Sequence, residues 1–174
     1  ALGSLVLATP AMAEDFTITS GTTTNDGNTV NGNDTVAVTG ALVTAGVNDG
    51  IHTTGGTNTV SVSETGSITT AGQDALGIYN RGDDNKTTLS GSITTTGARG
   101  YGIVNFGDDN KTTLSGSLTT TGAVGYGMVN YGDSNTTTVS GSITTTGTEG
   151  LGIFSWGSNN SVTISGTVST TNSI

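Results

Sequence analysis

The sequence predicts an all-β fold, a parallel β-solenoid in which each coil has about 25 residues and three short strands. A repeat of this length is typical of solenoids. Three observations favour this fold class. One sequence unit repeats four times without any change of register, from Gly66 to Ser165. The unit is rich in Thr, Ile, Val and Gly, and it lacks helical periodicity. A unit this short cannot bury a core alone, so successive copies must stack on one another.

The second copy of the unit, residues 91–115, illustrates the predicted strands and corners. Gly, Asp and Asn lie where the chain must turn, because these residues tolerate the bent or positive-φ backbone of corners. The predicted strands are Ser92 to Thr96, Tyr101 to Phe106 and Lys111 to Ser115, and the predicted corners are 97–100, 107–110 and 115–116.

Four segments of the chain differ in regularity. Residues 1–13 are predicted to be the remnant of a signal peptide, and residues 14–39 an N-terminal cap or first coil. A looser, irregular coil follows at 40–65, and residues 66–174 form the regular repeats. The copy that begins at Gly166 is incomplete, so we expect the natural chain to continue beyond Ile174.

Alternation within each strand predicts which side chains point inward. Because residues one repeat apart should lie on top of one another, identical side chains form columns along the solenoid. Asn105 is expected to stack between Asn80 and Asn130 through amide hydrogen bonds. The three predicted apolar columns are Ile68, Ile93, Leu118, Ile143 and Val168; Ile78, Ile103, Met128 and Ile153; and Leu89, Leu114, Val139 and Ile164.

Composition restricts the classes of function. The chain has four basic and 13 acidic residues, a net charge of −9 and no Cys. Four cationic side chains cannot neutralise a run of phosphates, so we expect no nucleic-acid partner. His52 is the single His, and the Ser residues lie in repeated corners where they are turn formers, so we expect no enzyme activity and no cofactor.

The first segment of the chain, residues 1–13, predicts export. An apolar stretch is followed by Ala11-Met12-Ala13, which is the small-x-small pattern that precedes signal-peptidase cleavage. The mature chain is therefore expected to begin at Glu14 after secretion through the Sec pathway, and no membrane-spanning stretch follows in the sequence.

The chain combines this leader with a Cys-free region rich in Gly, Thr, Ser and Asn, and its coils have the form SGSITTTGxxGYGIxNxGDxN. In these features it resembles the passenger region of a bacterial type V autotransporter. The resemblance implies a right-handed parallel β-helix at the cell surface or outer membrane of a Gram-negative bacterium, or outside the cell. It also implies a C-terminal translocator barrel beyond Ile174 as the chain's own partner. The expected function is that of a structural stalk or adhesin, and no functional residue carries over from the family.

Acidic residues form one candidate metal site. Asp83, Asp108 and Asp133 fall in one column, where stacked carboxylates would repel unless they are solvated or bridged by a cation. Ca²⁺ is the natural candidate, because it takes several oxygen ligands. The alternative is that Gly-Asp-Asx-Asn is ordinary corner chemistry.

Strand two carries a candidate contact surface. If Tyr101, Ile103 and Asn105 point inward, two neighbouring columns point outward. Exposed aromatic rows indicate contact with a glycan, a host protein, a surface protein of a neighbouring cell, a neighbouring passenger or a covering segment of the natural chain. The opposite parity, which would bury Phe106 in the core, stays open at this point. The two columns are Tyr79, Val104, Val129 and Phe154, and Arg81, Phe106, Tyr131 and Trp156.

Strand one supplies an alternative surface, a flat Thr-x-Thr grid that resembles the ice-contacting face of some β-solenoid antifreeze proteins. The alternative is that Thr is simply a good strand former, and its repetition on another face favours general composition as the explanation. The grid contains Thr94, Thr96, Thr119, Thr121, Thr144 and Thr146.

Overall fold

The computed structural model of the chain describes residues 16–19, 23–24, 28–44 and 46–171. These residues form three parallel β-sheets of seven, seven and six strands and contain no helix. The chain winds through one strand of each sheet in turn and makes about six turns of a parallel β-solenoid. The predicted fold class is therefore confirmed. The predicted signal-peptide remnant at 1–13 lies outside the described residues.

The sheets are named here by the strand of the repeat that they collect. The strand-one sheet contains β2 (Thr23–Thr24), β5 (Ala41–Thr44), β8 (Ser67–Thr70), β11 (Ser92–Thr95), β14 (Ser117–Thr120), β17 (Ser142–Thr145) and β20 (Thr167–Thr170). The strand-two sheet contains β3 (Asn28–Asn31), β6 (Ile51–Thr54), β9 (Ile78–Arg81), β12 (Ile103–Phe106), β15 (Tyr126–Tyr131) and β18 (Leu151–Trp156). The strand-three sheet contains β1 (Phe16–Ile18), β4 (Thr35–Val38), β7 (Thr59–Val62), β10 (Lys86–Leu89), β13 (Lys111–Leu114), β16 (Thr136–Val139) and β19 (Ser161–Ile164).

Strand pairing follows the period of the repeat in the regular part of the chain. Ile103 lies in register with Ile78 on one side and with Met128 on the other. Upstream the spacing varies: Ile51 pairs with Ile78, which is more than one regular period away, and Thr35 pairs with Thr59, which is less. The residues gained or lost lie in corners and leave the strand register intact, so the looser coils still stack on the regular ones.

The core consists of the predicted aliphatic columns. Ile93, Ile103 and Leu114 have no solvent exposure, and their counterparts in the neighbouring coils are equally buried. Ile153 and Val168 pack against this core and are partly buried. Ile164 is 50% exposed, because β19 is the outermost strand of its sheet in the described chain.

Two Asn ladders run through the solenoid. In the predicted ladder, Asn80 Nδ2 donates to Asn105 Oδ1 at 2.7 Å, and Asn105 donates to Asn130 in the same way. The second ladder lies in the corner before strand three, where the backbone N–H of Asn85 donates to Oδ1 of Asn110 at 2.9 Å. The sequence analysis did not identify this corner ladder, although the Asn residues that form it recur with the same period.

Inward-pointing Thr residues complete the interior. Thr87, Thr112 and Thr137 are buried and accept hydrogen bonds from the predicted Asn ladder at 2.8 to 3.1 Å. The interior is thus partly polar, and these amide and hydroxyl groups are paired along and across the coils. Among the described residues, no helix is long and apolar enough to cross a membrane.

Candidate functional site

The outward side of the strand-two sheet carries a row of exposed rings. Phe106, Tyr131 and Trp156 are 53%, 37% and 69% exposed and lie in register on successive strands. Arg81 holds the equivalent position one coil earlier and is exposed as well. The neighbouring Asn105 is buried, so alternation places Phe106 outside the core.

The second predicted outward row is less accessible. Val104 is 5% exposed and Val129 is fully buried, whereas Tyr79 and Phe154 are half-buried. Phe154, which follows Val129 in this row, lies 5.7 Å from Tyr131 of the exposed row, measured between ring centroids. The two Val residues therefore form the floor of the surface rather than its contact layer.

Tyr101 does not share the inward direction of Ile103 and Asn105 that strict alternation would give it. The ring lies outside, where it lines a groove with Val104 and Phe106. The cause is Gly102, whose missing side chain is the one directed at the core: an added Cβ would lie 2.6 Å from Leu118 Cδ2. Strict alternation fails at this position because Gly102 takes an inward position next to the inward Ile103.

The rings contact one another along the solenoid. Tyr101 and Tyr126 are stacked, with centroids 4.8 Å apart and planes inclined by 7°. Tyr126 also contacts Phe154 at 6.2 Å, and Phe106 contacts Tyr131 at 6.1 Å. We call this surface the aromatic face; its rings are Tyr79, Tyr101, Phe106, Tyr126, Tyr131, Phe154 and Trp156.

A groove of about 300 Å³ opens where the Tyr stack ends. The equivalent of Tyr101 one coil earlier is Leu76, whose shorter, non-planar side chain cannot continue the stack. One ring face of Tyr101 is covered by Tyr126, and its other side borders the groove. The lining residues are Asp74, Leu76, Tyr79, Arg99, Tyr101, Val104, Phe106 and Tyr131.

An ion pair forms the polar rim of this groove. Arg99 Nε and Nη2 donate to the two carboxylate oxygens of Asp74 at 2.5 and 2.9 Å. The hydrogen bonds from Arg99 lower the pKa of the Asp74 carboxyl, and Asp74 in turn raises the pKa of Arg99. Burial, followed by the nearby phenol of Tyr126, raises the pKa of Tyr101. Both charges of the pair are therefore retained at neutral pH, and the phenol of Tyr101 stays protonated.

The Asp column is held by the backbone. Asp83 Oδ1 accepts a hydrogen bond of 2.8 Å from the N–H of Asp108, and Asp108 Oδ1 accepts one of 2.7 Å from the N–H of Asp133. The same contact continues from Ser158 to Asp133. Each carboxylate thus caps the corner of the next coil. Within the described part of the chain, no group of three or more His, Cys, Asp or Glu side chains is arranged to hold a metal ion.

The Thr grid lies on the outward side of the strand-one sheet. Thr94, Thr119 and Thr144 are half-buried and lie in register, whereas Thr96, Thr121 and Thr146 are exposed just beyond the strand ends. The Thr residue between the two rows, for example Thr95, is buried in the interior. The two predicted Thr columns therefore share one outward face.

His52 lies beside the aromatic face. Its ring centroid is 4.7 Å from that of Tyr79, and its Nδ1 is 3.4 Å from Asp49 Oδ2. Asp49 Oδ1 also accepts a hydrogen bond of 2.8 Å from the N–H of Leu76, so this carboxylate supports the backbone beneath the groove. The His therefore extends the row of rings by one coil.

The fold and surface define a parallel β-solenoid with a continuous aromatic face. Comparison with protein families, with curated proteins and with solved structures finds no match to this chain. The function of the chain must therefore be inferred from the geometry and chemistry of this surface.

Proposed function

We propose that the chain is a non-catalytic rod of the autotransporter-passenger class, a stalk or adhesin that is exported by the Sec pathway and displayed at a bacterial surface. In this proposal, the aromatic face contacts a ligand on another cell. The observation that carries it is the row of Phe106, Tyr131 and Trp156, which are exposed side by side on a regular sheet. Large exposed rings in a contiguous row are typical of contact surfaces.

The scaffold supports this role because it holds the rings in place. Every coil is joined to the next by parallel strand pairing. The corner Asn ladder also joins the regular coils, and the strand-two ladder joins three of them through Asn80, Asn105 and Asn130. Neighbouring strands are about 4.8 Å apart, so the outward side chains have a fixed spacing. A surface that is ordered before binding loses less conformational entropy when the ligand arrives.

An attachment assay tests the adhesive role. Beads coated with the purified chain are counted on cultured epithelial cells, and the triple variant Phe106→Ala, Tyr131→Ala and Trp156→Ala is compared with the natural chain. We expect attachment to fall at least about tenfold, because truncation of buried aromatic anchors commonly costs more than one decade of affinity. A matched control replaces outward Thr residues of the strand-three sheet, Thr113, Thr138 and Thr163, by Ala. Equal attachment of both variants would reject the aromatic face as the contact surface.

The passenger assignment has a separate test. Sequencing the gene downstream of the codon for Ile174 is expected to reveal a segment that encodes an outer-membrane β-barrel, with strands of about ten residues and alternating hydrophobicity. A stop codon soon after Ile174 would contradict the assignment, whatever the attachment assay shows.

The Thr grid favours a second candidate function, ice binding. Thr94, Thr119 and Thr144 lie in register and face outward, so their hydroxyl and methyl groups form a regular array on one face. Thermal hysteresis of the purified chain tests this candidate. A measurable hysteresis that Thr119→Lys abolishes would support it, and a freezing point equal to the melting point would exclude it.

A further inference from the structure

The groove at the end of the Tyr stack has the chemistry of a sugar site. We infer that it binds one ring of an uncharged glycan, with the remaining sugar units extending outward. This inference rests on the proposed function, because it names the ligand class of the aromatic face. It follows from three properties of the groove: a free aromatic surface, a polar rim and a balanced charge.

The free aromatic surface belongs to Tyr101. Tyr126 covers one side of this ring at 4.8 Å, and the ring lines the groove together with Leu76. A pyranose ring presents a flat patch of C–H groups on one face, and such a patch packs well against an aromatic ring. The sugar would thus occupy the place that a further Tyr would take in the stack.

The polar rim can pair with the hydroxyl groups of the sugar. Arg99 has five N–H donors, of which two contact Asp74, and each carboxylate oxygen of Asp74 has further acceptor capacity. The phenols of Tyr79, Tyr101 and Tyr131 are on side chains that also line the groove. The rim thus places hydrogen-bond donors next to acceptors. Neighbouring hydroxyl groups of a sugar both donate and accept hydrogen bonds, so they can pair with such a rim.

Charge argues for an uncharged ligand. Asp74 and Arg99 carry opposite charges in a bidentate pair, and among the described residues no other acidic or basic side chain lines the groove. The net charge of −9 on the whole chain disfavours an anionic glycan. Arg99 at the rim likewise disfavours a cationic peptide. The volume of about 300 Å³ lies at the small end of ligand sites, which fits a single sugar ring rather than a folded partner.

Leu76→Tyr is the sharpest test, because it extends the Tyr stack into the groove and fills it. Leu151→Tyr is its matched control: Leu151 is the equivalent of Leu76 at the opposite end of the stack and lies outside the groove. Tyr101→Leu removes the free ring face and copies the residue that two other coils carry at this position. Circular dichroism and urea denaturation verify that all three variants keep the fold.

Binding is measured on an array of immobilised glucose-, galactose- and mannose-terminated oligosaccharides, with sialylated oligosaccharides and Lys-rich peptides as charged probes. We expect the natural chain and Leu151→Tyr to bind one or more of the uncharged oligosaccharides with equal affinity. Leu76→Tyr and Tyr101→Leu should bind at least about tenfold more weakly. Solution titration with the oligosaccharide that binds best verifies the ranking.

Three results would overturn the inference: no binding to any uncharged oligosaccharide, binding to charged probes alone, or equal binding by Leu76→Tyr and the natural chain. These results are separable from failure of the proposed function. Attachment of coated beads to cells without any oligosaccharide binding would leave the adhesin role standing and reject the sugar site. Oligosaccharide binding without attachment to cells would support the sugar site and reject the adhesin role.

Discussion

Asn105 donates a hydrogen bond of 2.7 Å from its Nδ2 to Oδ1 of Asn130, the equivalent residue one coil later. The same amide nitrogen donates to Thr112 Oγ1 at 3.0 Å, and Asn105 Oδ1 accepts from Asn80. A single buried side chain therefore joins three coils.

Asn105→Ala should destabilise the solenoid. The substitution leaves the carbonyl oxygen of Asn130 without its donor and removes one of the two acceptors of the Asn80 amide, which keeps Thr87. An orphaned buried group costs roughly 1 to 3 kcal/mol. Urea denaturation measures the loss in free energy of unfolding. The control Thr113→Ala changes an outward position and should alter stability by less than about 0.5 kcal/mol. Similar stabilities for the two variants would show that the ladder does not support the core.

Gly102→Ala should also destabilise the chain. The new Cβ would lie 2.5 Å from the backbone oxygen of Gly127 and 2.6 Å from Leu118 Cδ2, so strand two or the core must shift. Overpacking of this kind costs about 1 to 3 kcal/mol. Gly56→Ala, whose nearest neighbour would be Asp83 O at 3.0 Å, is expected to cost less, and thermal unfolding ranks the two. The opposite rank would show that Gly102 does not face the core.

Val124→Asn should stabilise the chain. Val124 has a φ of 56°, a left-handed conformation that β-branched residues rarely adopt, whereas Asn tolerates it. We expect a gain of about 1 kcal/mol in the free energy of unfolding, measured in urea. The control Val43→Asn changes a half-buried strand position and should destabilise instead. A loss of stability in Val124→Asn would mean that the packing of the Val124 side chain contributes more free energy than the strain of its backbone costs.

The Asp74 and Arg99 pair predicts a pH response at the groove. Arg99 lowers the pKa of the Asp74 carboxyl, so any stability from the pair is present above the ordinary carboxyl pKa and is lost as pH falls through the lowered value. NMR titration of the Asp74 side chain should show its midpoint rising in Arg99→Gln. A midpoint that does not move would contradict the ion pair.

The fold was predictable from the sequence because the repeat sets the register. Its period correctly places Ile93 against Leu118 and Asn105 against Asn130, and the alternation within strands correctly separates Thr94 from the interior. Strand ends differ from the prediction: Thr96 and Ser115 already belong to corners, and β12 begins at Ile103 rather than at Tyr101. Periodicity thus determines which residues meet, and alternation within each strand determines which side most of them face.

The groove was not predictable from the same pattern. Tyr101 faces outward because Gly102 is the residue that approaches Leu118, and alternation alone does not indicate which of two consecutive residues turns inward at a corner. The Asp74 and Arg99 pair joins residues of two different units that share a column but differ in charge. The site could have been found from equivalent positions that carry unlike residues. These positions are Leu76 and Tyr101, and Asp74 and Arg99.

Disulfide formation tests the stacking of coils most directly, because the chain has no Cys of its own. Thr94 and Thr119 lie in register on adjacent strands, about 4.8 Å apart, which is within the reach of a disulfide. After oxidation of the dilute double variant Thr94→Cys/Thr119→Cys, mass spectrometry should find an intrachain bond in nearly every molecule. Thr94→Cys/Thr113→Cys, which is closer in sequence but lies on two different sheets, should remain reduced. Equal bond formation in both pairs, or none in the first, would contradict the stacked solenoid.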